Sequence, residues 1–267
     1  MKSRTQDELV HDHYLNKRNE EIETKTKMLG KVSKDHENDF KIFYPSPEGL
    51  KDLPGGSVLI CIEFTLKKPY TGRGEDEFYE KRNPIIRDKF TCLPIVRPSS
   101  WKGNLRFSAT QIDDPRFSNK DIIIGRLFGS GSRKRDGRRG RLHFFPTFFE
   151  KWEKDVITPI SRKTRKPKRG ALEVEVIKEG RNGEFHILYT PYPRGKGFTM
   201  DEVVEDLEFL AEALKLMFYT YGFSARKTSG FGVIRDEVEG NLYVSDRSHG
   251  FRDLHKLRDL VRGVLGE

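Results

Sequence analysis

The chain has 267 residues, 50 of them Lys or Arg and 41 Asp or Glu, for a formal charge of +9; that length suffices to bury a core, and the charge makes a polyanion the first partner to weigh. Its two cysteines, Cys61 and Cys92, form no CxxC and have no second pair, which argues against a disulfide framework or a structural zinc site and suits a reducing cytoplasm. No apolar run approaches the ~18 residues of a membrane span and no signal-peptide core is visible, so a soluble cytoplasmic protein with no membrane partner is expected.

Residues 1–39 are polar and charged, with Leu9, Tyr14 and Ile22 too sparse to make a broad apolar stripe, and read as an extension preceding a folded domain at 40–267. The turn Pro54-Gly55-Gly56 introduces "SVLICIEFTL", residues 57–66, apolar and β-branched enough for a buried strand. A polar segment with two glycines and Pro84 follows, "KKPYTGRGEDEFYEKRNPIIRD", and reads as a long loop of the kind that is functional or disordered in compact domains. Ser99 and Ser100 then offer N-cap hydroxyls to a helix whose apolar face recurs at Trp101, Leu105 and Ala109. Outward-pointing backbone N–H groups beside Ser99, Ser100, Lys102 and Arg106 would make a phosphate site; an ordinary capped helix with solvated cations is the plainer alternative.

Two cationic stretches occupy the middle of the chain. Between Arg133 and Arg141 six of nine residues are Lys or Arg, and "SRKTRKPKRG", residues 161–170, repeats that composition. Such crowding repels itself unless something negative lies on it, which marks Arg133, Lys134, Arg135, Arg138, Arg139, Arg162 and Arg165 as candidate RNA contacts; solvated surface loops are the alternative. The first stretch leads into a strand at Leu142–Phe145. The second leads into "ALEVEVI", which is expected to turn at "EGRNGE" and return through "FHILYT" as a hairpin.

Val203, Leu207, Leu210, Leu214, Met217 and Tyr221 make one face of a long helix over 200–221, stopped by Gly222. The loop "FSARKTSGFG" after it holds Lys227, Thr228, Ser229, Gly230 and Gly232. Glycines admit a ligand close to the backbone, while the hydroxyls and the ammonium suit phosphate oxygens. A last helix is expected from Phe251 to Leu265. The order of elements points to an α+β fold with a ferredoxin-like or RRM-like antiparallel sheet, packed helices and inserted basic loops.

The collinear set of motifs resembles the RAMP superfamily. "NPIIRDKFTCLPIVRPSSWKGNLR" at 83–106 is similar to its signature, with Pro98 and Trp101 where the family has Gly and an aliphatic residue; "GRLFGS" at 125–130, "GRLHFF" at 140–145, "TPISRKTRKPKRGALEVEVI" and "ARKTSGFG" at 225–232 follow in order. The resemblance implies a single RAMP domain with a thumb-like insertion at about 129–195. It implies a subunit of a type III CRISPR effector complex, of the Csm or Cmr kind, that holds guide RNA by its backbone. Its partners would be guide RNA, target RNA and other RAMP subunits.

In members that cut target RNA, the family's catalytic Asp stands two residues before the Pro of the signature. That position is Arg82 here, and a guanidinium neither accepts a proton nor binds a cation. No catalytic and no metal-binding residue is therefore assigned, and no cofactor is expected. The alternative is a Mg²⁺-dependent endoribonuclease using an acid displaced into Glu75, Asp76, Glu77 or Glu80. A free-standing repeat-cleaving nuclease would need a catalytic histidine, and the seven histidines are scattered.

Overall fold

The computed structural model describes residues 43–72, 84–88, 91, 93–130, 137, 139–158, 164, 171–191 and 198–266. Strands are β1 Val58–Leu66, β2 Ile95–Val96, β3 Leu142–Phe144, β4 Thr147–Phe148, β5 Glu153–Ile157, β6 Leu172–Val176, β7 Asn182–Tyr189, β8 Ile234–Val244 and β9 Arg247–Phe251. Helices are α1 Pro98–Thr110, α2 Lys120–Phe128, α3 Met200–Lys215 and α4 Leu257–Leu265.

The central sheet has the order β3-β7-β1-β8-β9 and is antiparallel throughout. With α1 between β1 and β3, and α3 between β7 and β8, its first four strands reproduce the βαββαβ arrangement of a ferredoxin-like fold. Period-2 alternation sends Val58, Ile60, Ile62, Phe64 and Leu66 of β1 to the helix-covered face, where they join Phe185, Ile187 and Tyr189 of β7 and Leu242 of β8 in the core. Trp101 on α1 is fully buried among Phe64, Phe185, Phe218 and Phe223. Its indole N–H donates to Thr147 Oγ1 at 3.1 Å, the partner a buried indole requires.

Three expectations are corrected. β6 does not pair with β7; it pairs with β5 as a separate two-stranded hairpin, while β7 joins β1 and β3. Gly180, at φ 81°, turns the chain at "EGRNGE", and its N–H bonds to Leu66 O, so the turn crosses from the hairpin to the central sheet. The C-terminal helix starts at Leu257, because Phe251 closes β9, an edge strand added through a turn at Ser245 and Asp246. α3 ends at Lys215, and one π-helical turn, Leu216–Tyr221, completes the expected helix.

Among the described residues no helix is long and apolar enough to cross a membrane.

Candidate nucleic-acid interface

The helix entrance differs from the expected cap. α1 begins at Pro98 with Arg97 in the cap position and no side-chain capping bond. Proline's fixed φ and missing N–H suit the first helical position, so the helix starts one residue early and Ser99 and Ser100 fall inside its first turn. Ser99 is exposed and Ser100 half-buried.

What α1 presents to its neighbour is the stripe Ser100, Asn104 and Phe107. The Asn104 amide N–H donates to Ser100 O at 2.9 Å and to Phe223 O at 3.0 Å, which fastens the glycine-rich loop to the helix. Asn104 Oδ1 accepts from Lys227 Nζ at 2.9 Å. The same ammonium stands 4.4 Å from the centre of the Phe107 ring, and Phe107 is braced edge-on by Tyr221, at 5.3 Å, from the π-helical turn. Lys227 thus holds its charge against a neutral amide and an aromatic face, with no carboxylate ion pair among the described residues. Burial pulls its pKa down.

The loop keeps its shape because of its glycines. Gly222 and Gly232 have φ of 72° and 76°, and a Cβ on them would fall 2.4 Å from Phe231 O and 2.6 Å from Ser224 N. Gly230 is left-handed at φ 76° with open space where its side chain would be. Thr228, Ser229 and Gly230 are exposed. Ser100, Lys227, Thr228, Ser229, Gly230 and Gly232 therefore belong to one neighbourhood, at the end of the sheet marked by Leu66, Asn182 and Ile234, whereas Ser99, seven residues before Arg106, shares that residue's flank of α1.

Other predicted contacts are placed differently. Lys102 and Arg106 are exposed on α1, but at 100° per residue they occupy the flank opposite Asn104 and Phe107. Arg139 is exposed and bridges Gly129. It precedes Leu142, which lies in register with Tyr189 and, across β7, with Val58. That is the far end of the nine-residue β1, roughly 26 Å away at the rise of an extended strand. Arg133, Lys134, Arg135, Arg138, Arg162 and Arg165 lie outside the described residues, as do Arg82, Glu75, Asp76, Glu77 and Glu80.

The arginines of "GRLFGS" and "GRLHFF" are inward-facing. Arg126 Nε bonds Asp206 Oδ1 at 2.6 Å and Arg141 Nη1 bonds Asp206 Oδ2 at 2.7 Å, with Tyr189 O–H donating to the same oxygen at 2.9 Å. Glu205 and Glu202 complete the cluster. Asp206 is fully buried and Arg141 is 1% exposed.

The open face of the sheet carries a row of acids across its central strands. RRM-type sheets meet bases with aromatic side chains on their central strands; here Glu184, Glu63 and Glu239 stand opposite one another across β7, β1 and β8, all exposed. Such a row repels phosphate. His186 on this face stacks on Tyr44 at 4.1 Å, and burial holds its pKa down at about 4. His143 is also shifted down by burial. No group of three metal-ligating side chains exists among the described residues.

Asn104, Phe107 and Tyr221 were not among the sequence candidates. Their signal was slight: an Asn inside a helix four residues after Ser100, and an aromatic residue at the next turn.

The sequence pattern of the RAMP superfamily matches residues 21–235. A relative described as CRISPR system Cms endoribonuclease Csm3, from Enterococcus italicus, is 30% identical over 175 residues, covering 59% of this chain and 77% of the relative. Two solved structures are similar. One is of the type III-B Cmr-beta bound to cognate target RNA, at 13% identity and a TM-score of 0.46, covering 83% of this chain and 67% of that one. The other is of the Csm3-Csm4 subcomplex in the type III-A CRISPR-Cas interference complex, at 16% identity and a TM-score of 0.46, covering 79% and 97%. With the family pattern running from the N-terminal segment through the glycine-rich loop and into β8, the chain belongs to the RAMP superfamily, as a relative of subunits of type III CRISPR effectors.

Proposed function

We propose that this protein is a guide-RNA-binding structural subunit of a type III CRISPR interference complex. It grips the RNA backbone without reading sequence and assembles with other RAMP subunits around guide and target RNA. The observation that carries this reading is Lys227, an ammonium set beside exposed hydroxyls and a bare glycine on a loop fastened to the middle of α1 by Asn104. Phosphate contacts of this kind position a strand without carrying sequence information. The test is to express the full chain with its neighbouring subunits and recover the assembly. Guide RNA should co-purify at a fixed stoichiometry and be lost at high salt; an assembly free of RNA would refute the proposal.

The relative's description as an endoribonuclease, together with the acids of 75–80, favours a second reading: metal-dependent cutting of target RNA. The carboxylates that would hold Mg²⁺ are Glu75, Asp76, Glu77 and Glu80, and the ion would supply charge stabilisation to the leaving oxygen. Replacing all four by Ala in the assembled complex separates the readings. Target cleavage that persists unchanged excludes those acids as the catalytic ones.

A further inference from the structure

Two aromatic rings at the Lys227 site lie outside the hydrophobic core. Phe107, near the C-terminal end of α1, is 41% exposed, and Tyr221 is half-buried at the end of the π-helical turn. The two meet edge to face with centres 5.3 Å apart. π-Helical turns recur at functional sites, and this one sets the brace behind Phe107. Asn104, three residues before Phe107, ties α1 to the glycine-rich loop through Phe223 O and accepts from Lys227 Nζ. One side chain therefore holds the ammonium at the ring, 4.4 Å from its centre, beside the exposed Thr228, Ser229 and Gly230.

A single exposed Phe needs no function; what marks this one is its place. It projects from a helix, a second ring supports it, and the cation that touches it is the one the reading above gives to phosphate. Cations interleaved with aromatic rings are the composition of sites for single-stranded nucleic acid, where the cations follow the backbone and the rings take bases. Base and phosphate hang from one ribose, so a strand that sets a phosphate on Lys227 brings a base to Phe107. We propose that Phe107, braced by Tyr221, stacks one unpaired base, so that the site takes a whole nucleotide of single-stranded RNA and not a phosphate alone. An ammonium pairs more strongly with a phosphate than with an uncharged ring, so the arriving phosphate draws Nζ off Phe107 and bares the ring. A base inside a duplex is already stacked on both sides and has no face to offer. Every base has a π-face, so this contact tolerates all sequences. The proposal rests on the RNA-binding reading above and adds to it the unpaired base as a ligand.

The test separates stacking from charge. The full chain is titrated with a mixed-sequence single-stranded RNA at several salt concentrations. Phe107→Leu keeps an apolar side chain and every phosphate contact, so affinity should fall about tenfold while the slope of log affinity against log salt stays at its wild-type value. Lys227→Ala should instead lower that slope by ~0.7. Phe107→Trp should bind at least as tightly as wild type, and the indole emission it adds should be quenched by the RNA and not by inorganic phosphate. Full affinity in Phe107→Leu overturns the proposal. A slope that falls in Phe107→Leu as it does in Lys227→Ala also overturns it, since the ring would then only position the ammonium. Indole emission that RNA leaves unchanged overturns it as well. A wild-type chain with no affinity for RNA, or Lys227→Ala at full affinity, overturns the RNA-binding reading itself.

Discussion

At the Val58 end of the central sheet, Arg126 and Arg141 are buried and share Asp206 with each other and with Tyr189. At the Leu66 end, Lys227 stands against Asn104 and Phe107, without a carboxylate ion pair among the described residues. Both ends carry cations in motifs that resemble one family, and both were reasonable places to look for RNA. A buried guanidinium has to be matched by a carboxylate inside the protein, because bulk water no longer solvates it. A half-buried ammonium held by neutral groups keeps its field for an anion that arrives from outside. Thus the two pairings separate cations committed to the fold from one left open to an outside anion, which counting Lys and Arg does not.

The sharpest way to break that comparison is to remove the acid that makes the first end structural. Asp206→Ala leaves two buried arginines without their shared partner, and stability measured by denaturant unfolding should fall by about 3–5 kcal/mol. A loss well below 1 kcal/mol would mean that water reaches the cluster and that these arginines are not committed to the fold. Any RNA affinity that remains in the folded fraction should be unchanged.

Between the two ends, the open face of the sheet supplies a pH signature. The His186 ring is held at about 4 by burial, below its ordinary 6.5, so its neutral form is the one the fold favours. The unfolded chain takes up the proton first as pH falls. The stabilising contribution is therefore complete above pH 6.5 and is lost as pH drops towards 4, by up to ~3 kcal/mol. Thermal melting across that range should show the decline, and His186→Phe, which keeps a ring against Tyr44, should flatten it. A decline of equal size in the variant would assign the effect to other groups.

At the second end the effect is on binding. Lys227→Ala should weaken RNA affinity about tenfold, the size of one lost charge-assisted bond, with unfolding shifted little. A variant that loses stability and keeps affinity would reverse the comparison, making Lys227 the structural cation.

How far the sequence reached follows from the range of each interaction. Strand β1 and the apolar face of α3 were legible because periodicity is local: Ile60, Ile62 and Phe64 alternate, and Val203, Leu207, Leu210 and Leu214 recur by turns. The pairing of β6 was misread because "ALEVEVI" and "FHILYT" have equal claims on each other by proximity, and only the competition with β1 and β5 decides it. The site was legible as composition and opaque as geometry. "ARKTSGFG" announced a glycine-rich loop with hydroxyls and an ammonium, yet Asn104 holds Lys227 across 123 positions. The cap was misassigned because two serines outweighed Pro98, whose ring geometry sets the helix start. The landmark arginines look the same in sequence whether they face Asp206 or solvent.

Lys102 and Arg106 test the comparison most finely, since they are exposed like Lys227 but lie on the other flank of α1. They make no ion pair with the described residues and cost little to remove from the fold, so their replacement by Ala should leave unfolding within ~0.5 kcal/mol. If RNA passes along both flanks of the helix entrance, each lost phosphate contact reduces the slope of log affinity against log salt by ~0.7 for a single strand or ~0.9 for a duplex. The pair would then change the slope by up to about twice that, equally for all RNA sequences. An unchanged slope confines the grip to the Asn104–Lys227 flank and makes these two cations solvated surface. A slope that changes for one sequence and not another would contradict backbone recognition itself, because a phosphate contact carries no information about the base attached to it.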